Sequence, residues 1–370
     1  MIVMRIELDN FLAFRDFSLN LSYPKRIVKS YISGEYISGC PNFRYKKLLV
    51  LMGANAAGKT SLGQMFNHVF NFMVRHQTEK IISSVCDKSR EAKILLDFIP
   101  SGMKPELYRL ELFLKSAQPG SEPGILSRVK KTNIRQTDSY EKACKRLDVQ
   151  DKEYADYLYV FKELPSIGFF FSYPMDVMPD TVPTGGSAVY RAILEKVLRV
   201  LDAGITRVNV VPDAQNAYNI HMASGQNVLI QEGHVVDTSL LSSGTKAGIG
   251  IADMLSAMKE HRCGFYYCDE RFSYVHSEVE KAVLAVMLEL LGEGEQLIFT
   301  THNMDMLSLP LPKHTYAFLK KTVTDSGIEI TTVNASDYLK RNTDSLRKAT
   351  ENDMFSVFPD TEQIASIAYE

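Results

Sequence analysis

Gly53-Ala54-Asn55-Ala56-Ala57-Gly58-Lys59-Thr60 decides how this chain is read. The octad fits G-x-x-x-x-G-K-[ST] and stands where that pattern has physical meaning, between a strand and a helix. Lys47-Leu48-Leu49-Val50-Leu51-Met52 before it is short and almost wholly apolar, as a strand buried on both faces must be. Residues 59–75 after it have helical spacing. The glycines let such a turn curl until its N–H groups point inward at phosphate oxygens, and the helix N-terminus adds a favourable dipole. Lys59 then reaches the β- and γ-phosphates, and the Thr60 hydroxyl sits on Mg²⁺. The expected cradle is Gly53, Asn55, Ala56, Ala57, Gly58, Lys59, Thr60 and Ser61, with ATP and Mg²⁺ as its ligands. The competing reading is a chance match in a turn, which the flanking strand and helix disfavour.

Farther along, Gly264-Phe265-Tyr266-Tyr267-Cys268-Asp269-Glu270 is an apolar strand ending in two acids. An aspartate at a strand tip beside a phosphate loop can hold Mg²⁺ through its water shell. A glutamate one residue later can take a proton from the attacking water. Asp269 is therefore the expected metal ligand beside Thr60, and Glu270 the expected general base. Read alone, Asp-Glu is also ordinary at a strand that ends in solvent. Thr300-Thr301-His302-Asn303 closes the next apolar strand, Gln296-Leu297-Ile298-Phe299. If these strands are parallel neighbours, His302 shares a sheet edge with Lys59 and Asp269, where open α/β sheets bind ligands. Lys59, Glu270 and His302 are then the expected catalytic set, with His302 on the γ-phosphate. A capping or surface histidine is the alternative.

Leu240-Leu241-Ser242-Ser243-Gly244-Thr245-Lys246 precedes a helix with Ile249, Ile251, Met254 and Leu255 on its apolar face. Serine before such a run is first of all an N-cap signal. The order matters more than any one motif: phosphate loop, L-S-S-G, apolar strand with D-E, then T-H. That set resembles the ABC-type ATPase heads of the SMC and RecF lineage. Within it the chain is similar to the OLD-related AAA family ATPases, the group catalogued as AAA type 15. Ile6-Glu7-Leu8-Asp9-Asn10-Phe11-Leu12-Ala13-Phe14-Arg15-Asp16 resembles that family's I-x-N-F-x-S-F-x-D opening. Ser242-Ser243-Gly244-Thr245-Lys246 matches its signature, and Ser345-Leu346-Arg347-Lys348 with Phe358-Pro359 looks like its tail.

The resemblance implies that the signature of one subunit closes over the nucleotide of another. Ser242, Ser243 and Gly244 offer hydroxyls, a backbone N–H and a helix N-terminus suited to a γ-phosphate. One phosphate loop and one signature per chain make two composite sites require two chains, so an ATP-dependent homodimer or higher oligomer is expected. The chain departs from its relatives after Glu270: Arg271-Phe272-Ser273-Tyr274-Val275-His276-Ser277 keeps the histidine of their L-H-P ending but not the proline. This segment is read as the dimer-contact loop. Gln64, Gln77 and Gln118 are equal candidates for the glutamine that senses Mg²⁺ in ABC heads, and Arg15 is a candidate to approach the nucleotide.

The expected fold is α/β: a P-loop NTPase of the ABC-type ATPase head, with an N-terminal β-rich sheet and a mostly parallel core sheet. Residues 1–76 and 236–370 form the head, and residues 77–235 an inserted α+β lobe. Strands are expected over residues 2–8, 17–21, 93–131 (interrupted by a loop at 119–124) and 167–171, with two outer helices within 138–163. A linker at 179–186 and a helix over about 187–203 precede three short strands up to about 230. A helix over 243–260, a strand at 264–269, a helix over 276–291, a strand at 296–300, a helix at 303–308 and a strand at 314–320 complete the alternation. The Tyr-Ile-Ser-Gly tandem at residues 31–39 suits a hairpin.

Composition narrows the function. With 370 residues, 42 Lys plus Arg against 44 Asp plus Glu, and a net charge of −2, nothing global draws the chain to nucleic acid. No apolar run approaches the ~18–20 residues that span a bilayer, so no membrane partner is expected. Five scattered cysteines without a C-x-x-C pair fit a reducing cytoplasm rather than a disulfide framework or zinc site.

Four functions compete. The first is a slow ATPase switch controlling a separate effector protein, nuclease or toxin-like, as the resemblance to anti-phage defence modules implies. About 70 residues follow His302, fewer than the ~100 of a typical domain, so no effector is expected within the chain. The second is a RecF-like clamp on duplex DNA, supported locally by Arg128-Val129-Lys130-Lys131 and Arg135, although these residues read more readily as a solvated strand edge. A transporter subunit is disfavoured by a signature without glutamine, and a scaffold without turnover by Glu270.

Overall fold

The computed structural model describes residues 1–27, 30–102, 104–116, 123–174, 188–212, 214–232, 234–325, 327–341 and 344–355, with 364 and 367. The linker at 179–186, most of the loop at 119–124, Gln118 and Phe358-Pro359 lie outside these residues. The chain forms two compact units, one of Ile2–Ser166 with Thr300–Glu370, the other of Met1 with Ile167–Phe299. Of the stretch read as an inserted lobe, residues 77–166 fall in the first and 167–235 in the second.

The first unit carries an antiparallel sheet of six strands in the order Phe17–Asn20, Ile2–Asp9, Ala92–Ile99, Glu106–Leu114, Ile125–Asn133 and Ala155–Asp156. One face is apolar, with Ile6, Leu8, Ile94, Leu96, Phe98, Leu110 and Leu112 buried, as a period of two residues requires. The opposite face carries a row of charges set side by side by the register: Arg5 beside Asp97, Asp97 beside Arg109, Arg109 beside Lys130. The helix Tyr140–Asp148 covers one end of that row and packs Tyr140, Ala143 and Leu147 against Ile99, Leu107 and Phe43.

The strand Leu48–Met52, all five residues buried, leads through the phosphate loop into the helix Lys59–Arg75. It runs parallel to Tyr316–Thr324, Val50 opposite Tyr316, and that strand returns as the antiparallel Gly327–Asn334. The tandem at 31–39 contributes to a small hairpin of Tyr36–Ile37 and Cys40–Arg44. The expected outer helices are unequal, since beyond Tyr140–Asp148 there is only the short Tyr157–Val160.

In the second unit Phe169–Ser172 pairs in parallel with Phe265–Asp269, and residues 296–299 of the next strand follow beside the latter. A four-stranded antiparallel meander runs through Ile205–Val210, Ala217–Met222, Asn227–Gln231 and His234–Val235. The helices Ala188–Leu201, Ser243–Lys259 and Ser277–Leu290 complete it. The first two touch at Gly248, where a Cβ would come within 2.6 Å of Leu201 Cδ1. Absence of a side chain there lets Leu194, Leu198, Ile249 and Ala252 share one core with Val208, Ile220 and Ile230 of the meander.

Candidate nucleotide site

The phosphate loop owes its shape to backbone conformations that side chains restrict. Ala56 has φ +61° and Gly58 φ +103°, both in the left-handed region. Gly53 answers a different need, because a Cβ there would lie 2.8 Å from the Leu319 carbonyl oxygen. Ala57 N–H donates to Ala54 O at 3.1 Å and Leu62 N–H to Gly58 O at 2.9 Å, closing the turn into the helix. Gly58 is the helix N-cap and no side chain caps it. Lys59 is buried, and its ammonium donates to Gly53 O at 2.6 Å and Ala54 O at 2.9 Å. Asn55 and Ala56 are exposed on the loop, and Thr60 and Ser61 are half-buried on the first helical turn. This cradle fits a polyphosphate: a lysine held over a tight glycine turn, with a hydroxyl one residue on. Gly53→Ala is expected to displace the Leu319 strand and cost about 1–3 kcal/mol, as other forced insertions into packed sites do. A denaturant midpoint equal to that of the parent chain would refute the close approach.

In the second unit Asp269 is the fully buried last residue of its strand. Glu270, half-buried, follows at φ +40°, a conformation that costs a residue with a Cβ of order 1–3 kcal/mol and gathers at functional sites. The turn is held by Ser273, whose Oγ and N–H donate to Glu270 O at 2.9 and 3.3 Å. Phe272 packs on Phe299 with ring centroids 5.4 Å apart.

Ser242 is the N-cap of the Ser243–Lys259 helix, accepting from Thr245 N–H at 3.1 Å and sharing a 2.8 Å bond with Thr245 Oγ1. The capping reading of that serine is therefore the observed one, and it leaves Ser243 exposed at the helix start. Gly244 must be glycine, because a Cβ would meet the Tyr274 carbonyl oxygen at 2.9 Å. The signature and the turn after Glu270 are thus in contact within one unit.

Arg271, read from the sequence only as the first residue of the dimer-contact loop, is the second link between them. Its Nη1 donates to Tyr173 O at 2.8 Å and its Nε to Ala247 O at 3.3 Å. Its guanidinium occupies the space where Gly250 would otherwise carry a Cβ. Burial pulls its pKa below the ordinary value, against the pull of Cys268 and Asp253. The signal in the sequence was Gly250, a glycine inside a helix that had no local need of it.

His302 is exposed just past the strand Gln296–Thr301, and it is Asn303 that caps the following 3₁₀ turn by accepting from Asp305 N–H at 3.0 Å. That turn, Met304–Ser308, stands where a helix was expected. His276 caps the Ser277–Leu290 helix through Nδ1, which accepts from Glu278 N–H at 3.2 Å. The exposed Arg15 points its guanidinium at Gly327 of the last hairpin. Gln64 is half-buried on the loop's helix and Gln77 exposed beyond its end.

Two residues of the basic stretch are engaged inside the first unit, while Lys131 and Arg135 are exposed. Arg128 makes two bonds to Glu111, at 2.5 and 2.9 Å, and lies over the Tyr154 ring, while Lys130 is buried beside Arg109. Among the described residues no group of three or more His, Cys, Asp or Glu side chains could hold a metal by itself, and no helix is long and apolar enough to cross a membrane.

Solved structures that match the chain include two Smc heads. One is the Smc head bound to the C-winged helix domain of ScpA, 12% identical, covering 92% of this chain and 100% of its own, with a TM-score of 0.52. The other is the Smc head with an extended coiled coil bound to the C-terminal domain of ScpA, derived from Pyrococcus furiosus, 10% identical, covering 92% and 98%, also at 0.52. No protein-family model and no curated protein matches the chain. At this identity the likeness speaks to fold alone: the chain has the fold of these Smc heads.

Proposed function

We propose that this chain is an ATPase that works as a homodimer with composite sites and switches a separate effector protein, nuclease or toxin-like, in the cytoplasm. The observation that carries the reading is the phosphate loop, with its left-handed Ala56 and Gly58 and Lys59 seated over it. In this reading Lys59 binds the β- and γ-phosphates, and Thr60 and Asp269 hold Mg²⁺, directly or through water. Bound there, Mg²⁺ neutralises charge across the phosphates. Glu270 accepts the proton of the water that attacks the γ-phosphorus as the bond to ADP breaks, and His302 donates to the γ-phosphate. Ser243 and Gly244 of a second copy close over the same nucleotide, making turnover depend on dimerisation.

The OLD-related, AAA type 15 likeness of the motifs supports a role in anti-phage defence. The five cysteines, none in a disulfide, suit a reducing compartment. The Smc heads named above are bound to domains of another protein, and a partner of this chain follows the same habit.

Lys59→Ala tests the core of the proposal. Removing the charge-assisted bonds to phosphate should weaken ATP binding ~10–100-fold in equilibrium dialysis and abolish turnover. Unchanged affinity would remove the nucleotide reading altogether. Purifying the tagged chain from its host with ATP and Mg²⁺ then asks for the effector: a nuclease or toxin-like protein bound only with nucleotide supports the switch.

A further inference from the structure

We propose that Arg271 is a positioning residue that locks Glu270 to the signature helix, so that the proton-accepting carboxylate and the Ser243–Gly244 end of the helix move as one body. This rests on the ATPase reading above. Three elements meet at its side chain: the turn that starts at Glu270, the first turns of the Ser243–Lys259 helix through Ala247 O, and the end of the Phe169–Ser172 strand through Tyr173 O. The donors come from one planar, charged fork, which bonds more strongly than a neutral donor and fixes an angle as well as a distance. Gly250 is the seat, because any side chain there would collide with the guanidinium. The second brace is main-chain, Gly244 against the Tyr274 carbonyl, so the turn is held on both sides of Phe272.

The consequence follows from which site each end serves. Glu270 acts on the nucleotide of its own chain, whereas the signature acts on that of the partner copy. A rigid tie between them makes closure at one composite site favour closure at the other, which appears as cooperative dependence of turnover on ATP.

The test is ATP turnover against ATP concentration for the full chain, Arg271→Met, Arg271→Lys and Gly250→Ala, with Lys59→Ala as control. Gly250→Ala matters most: Gly to Ala within a helix ordinarily raises stability, yet here it evicts the guanidinium. Expected for both Arg271→Met and Gly250→Ala is a kcat about tenfold lower or more, as small misplacements of reacting groups produce. KM should stay within about threefold, because the phosphate loop is untouched. The Hill coefficient should fall to about one in both, measured at a temperature where each variant is folded by circular dichroism. Arg271→Lys, able to reach one carbonyl but not both, should fall between. Parental kcat and Hill coefficient in Gly250→Ala would overturn the inference, even if Arg271→Met failed to fold. Parental turnover in Lys59→Ala would instead overturn the ATPase reading, and this inference with it.

Discussion

Glu270→Gln is expected to bind ATP as the parent chain does and to hydrolyse it ~10²–10⁴ times more slowly, the usual contribution of a positioned general base. The amide has the shape of the carboxylate but cannot take a proton from water. What holds the turn is the Glu270 carbonyl, which accepts from Ser273, and a side-chain change leaves that bond in place. The variant should therefore fold normally and accumulate with ATP bound, since a dimer closed by nucleotide opens only after hydrolysis. Light scattering with ATP and Mg²⁺ should show the mass of two chains where the apo protein shows 41.7 kDa. Glu270→Gly separates chemistry from backbone: at φ +40° glycine is unstrained, so stability should hold or rise while turnover is lost equally. A Glu270→Gln protein that hydrolyses at the parental rate would end the assignment of this residue as base.

The parts of this architecture legible in the sequence are those whose cause is local. Leu48–Met52 is continuous and apolar, and the Lys59–Arg75 helix starts at a glycine turn that cannot be anything else, so both bounds were readable to within a residue. The same holds for Phe265–Asp269 and for the Ser242 cap. Pairing across long separations leaves no such trace. Nothing in the alternation of Ile2–Asp9 says that Ala92–Ile99 is its neighbour, although the two pair along almost their full length, with one register shift between Val3 and Arg5. The hairpin strand Gly327–Asn334 went unread because only Ile330 in it is buried, so its hydrophobic period is faint.

Charged side chains are hard to read in the same way. Arg128 and Lys130 fit a solvated strand edge or a patch for a polyanion, and their strand places them beside Glu111 and Arg109 on the charged face of a sheet. Arg271 reads as the first residue of a dimer-contact loop, and only the fold shows that a glycine opposite makes room for its guanidinium. The lesson is physical: periodicity reports which side of an element is apolar, but not which polar residues a second layer will cover.

Asp97→Ala is the substitution expected to cost most in stability, about 3–5 kcal/mol in the unit that contains it, as for other broken buried ion pairs. Asp97 is fully buried. It accepts from Arg109 Nε and Nη2 at 2.6 and 2.9 Å, from Arg5 Nη2 at 3.2 Å and from the Tyr140 hydroxyl at 2.5 Å. Burial alone would pull the Arg109 guanidinium down, but Asp97 and Asp148 outweigh it and hold its pKa above the ordinary value. Burial and then Asp97 likewise push the Cys144 thiol up to about 11. Truncation removes the one acid that Arg109, Arg5, Tyr140 and the Cys144 thiol share, and Asp148, 58% exposed, can compensate only one arm of Arg109. Asp97→Asn, which keeps an acceptor and loses the charge, should cost less than Asp97→Ala. Arg109→Met should cost a comparable amount, because it strands the carboxylate instead. The double variant should recover part of both losses, since the two singles each leave a buried charge that the double does not. Denaturant melts of the four proteins decide it: strictly additive losses would mean that the pair does not act as a unit, and a parental midpoint in Asp97→Ala would remove the network from any account of this fold.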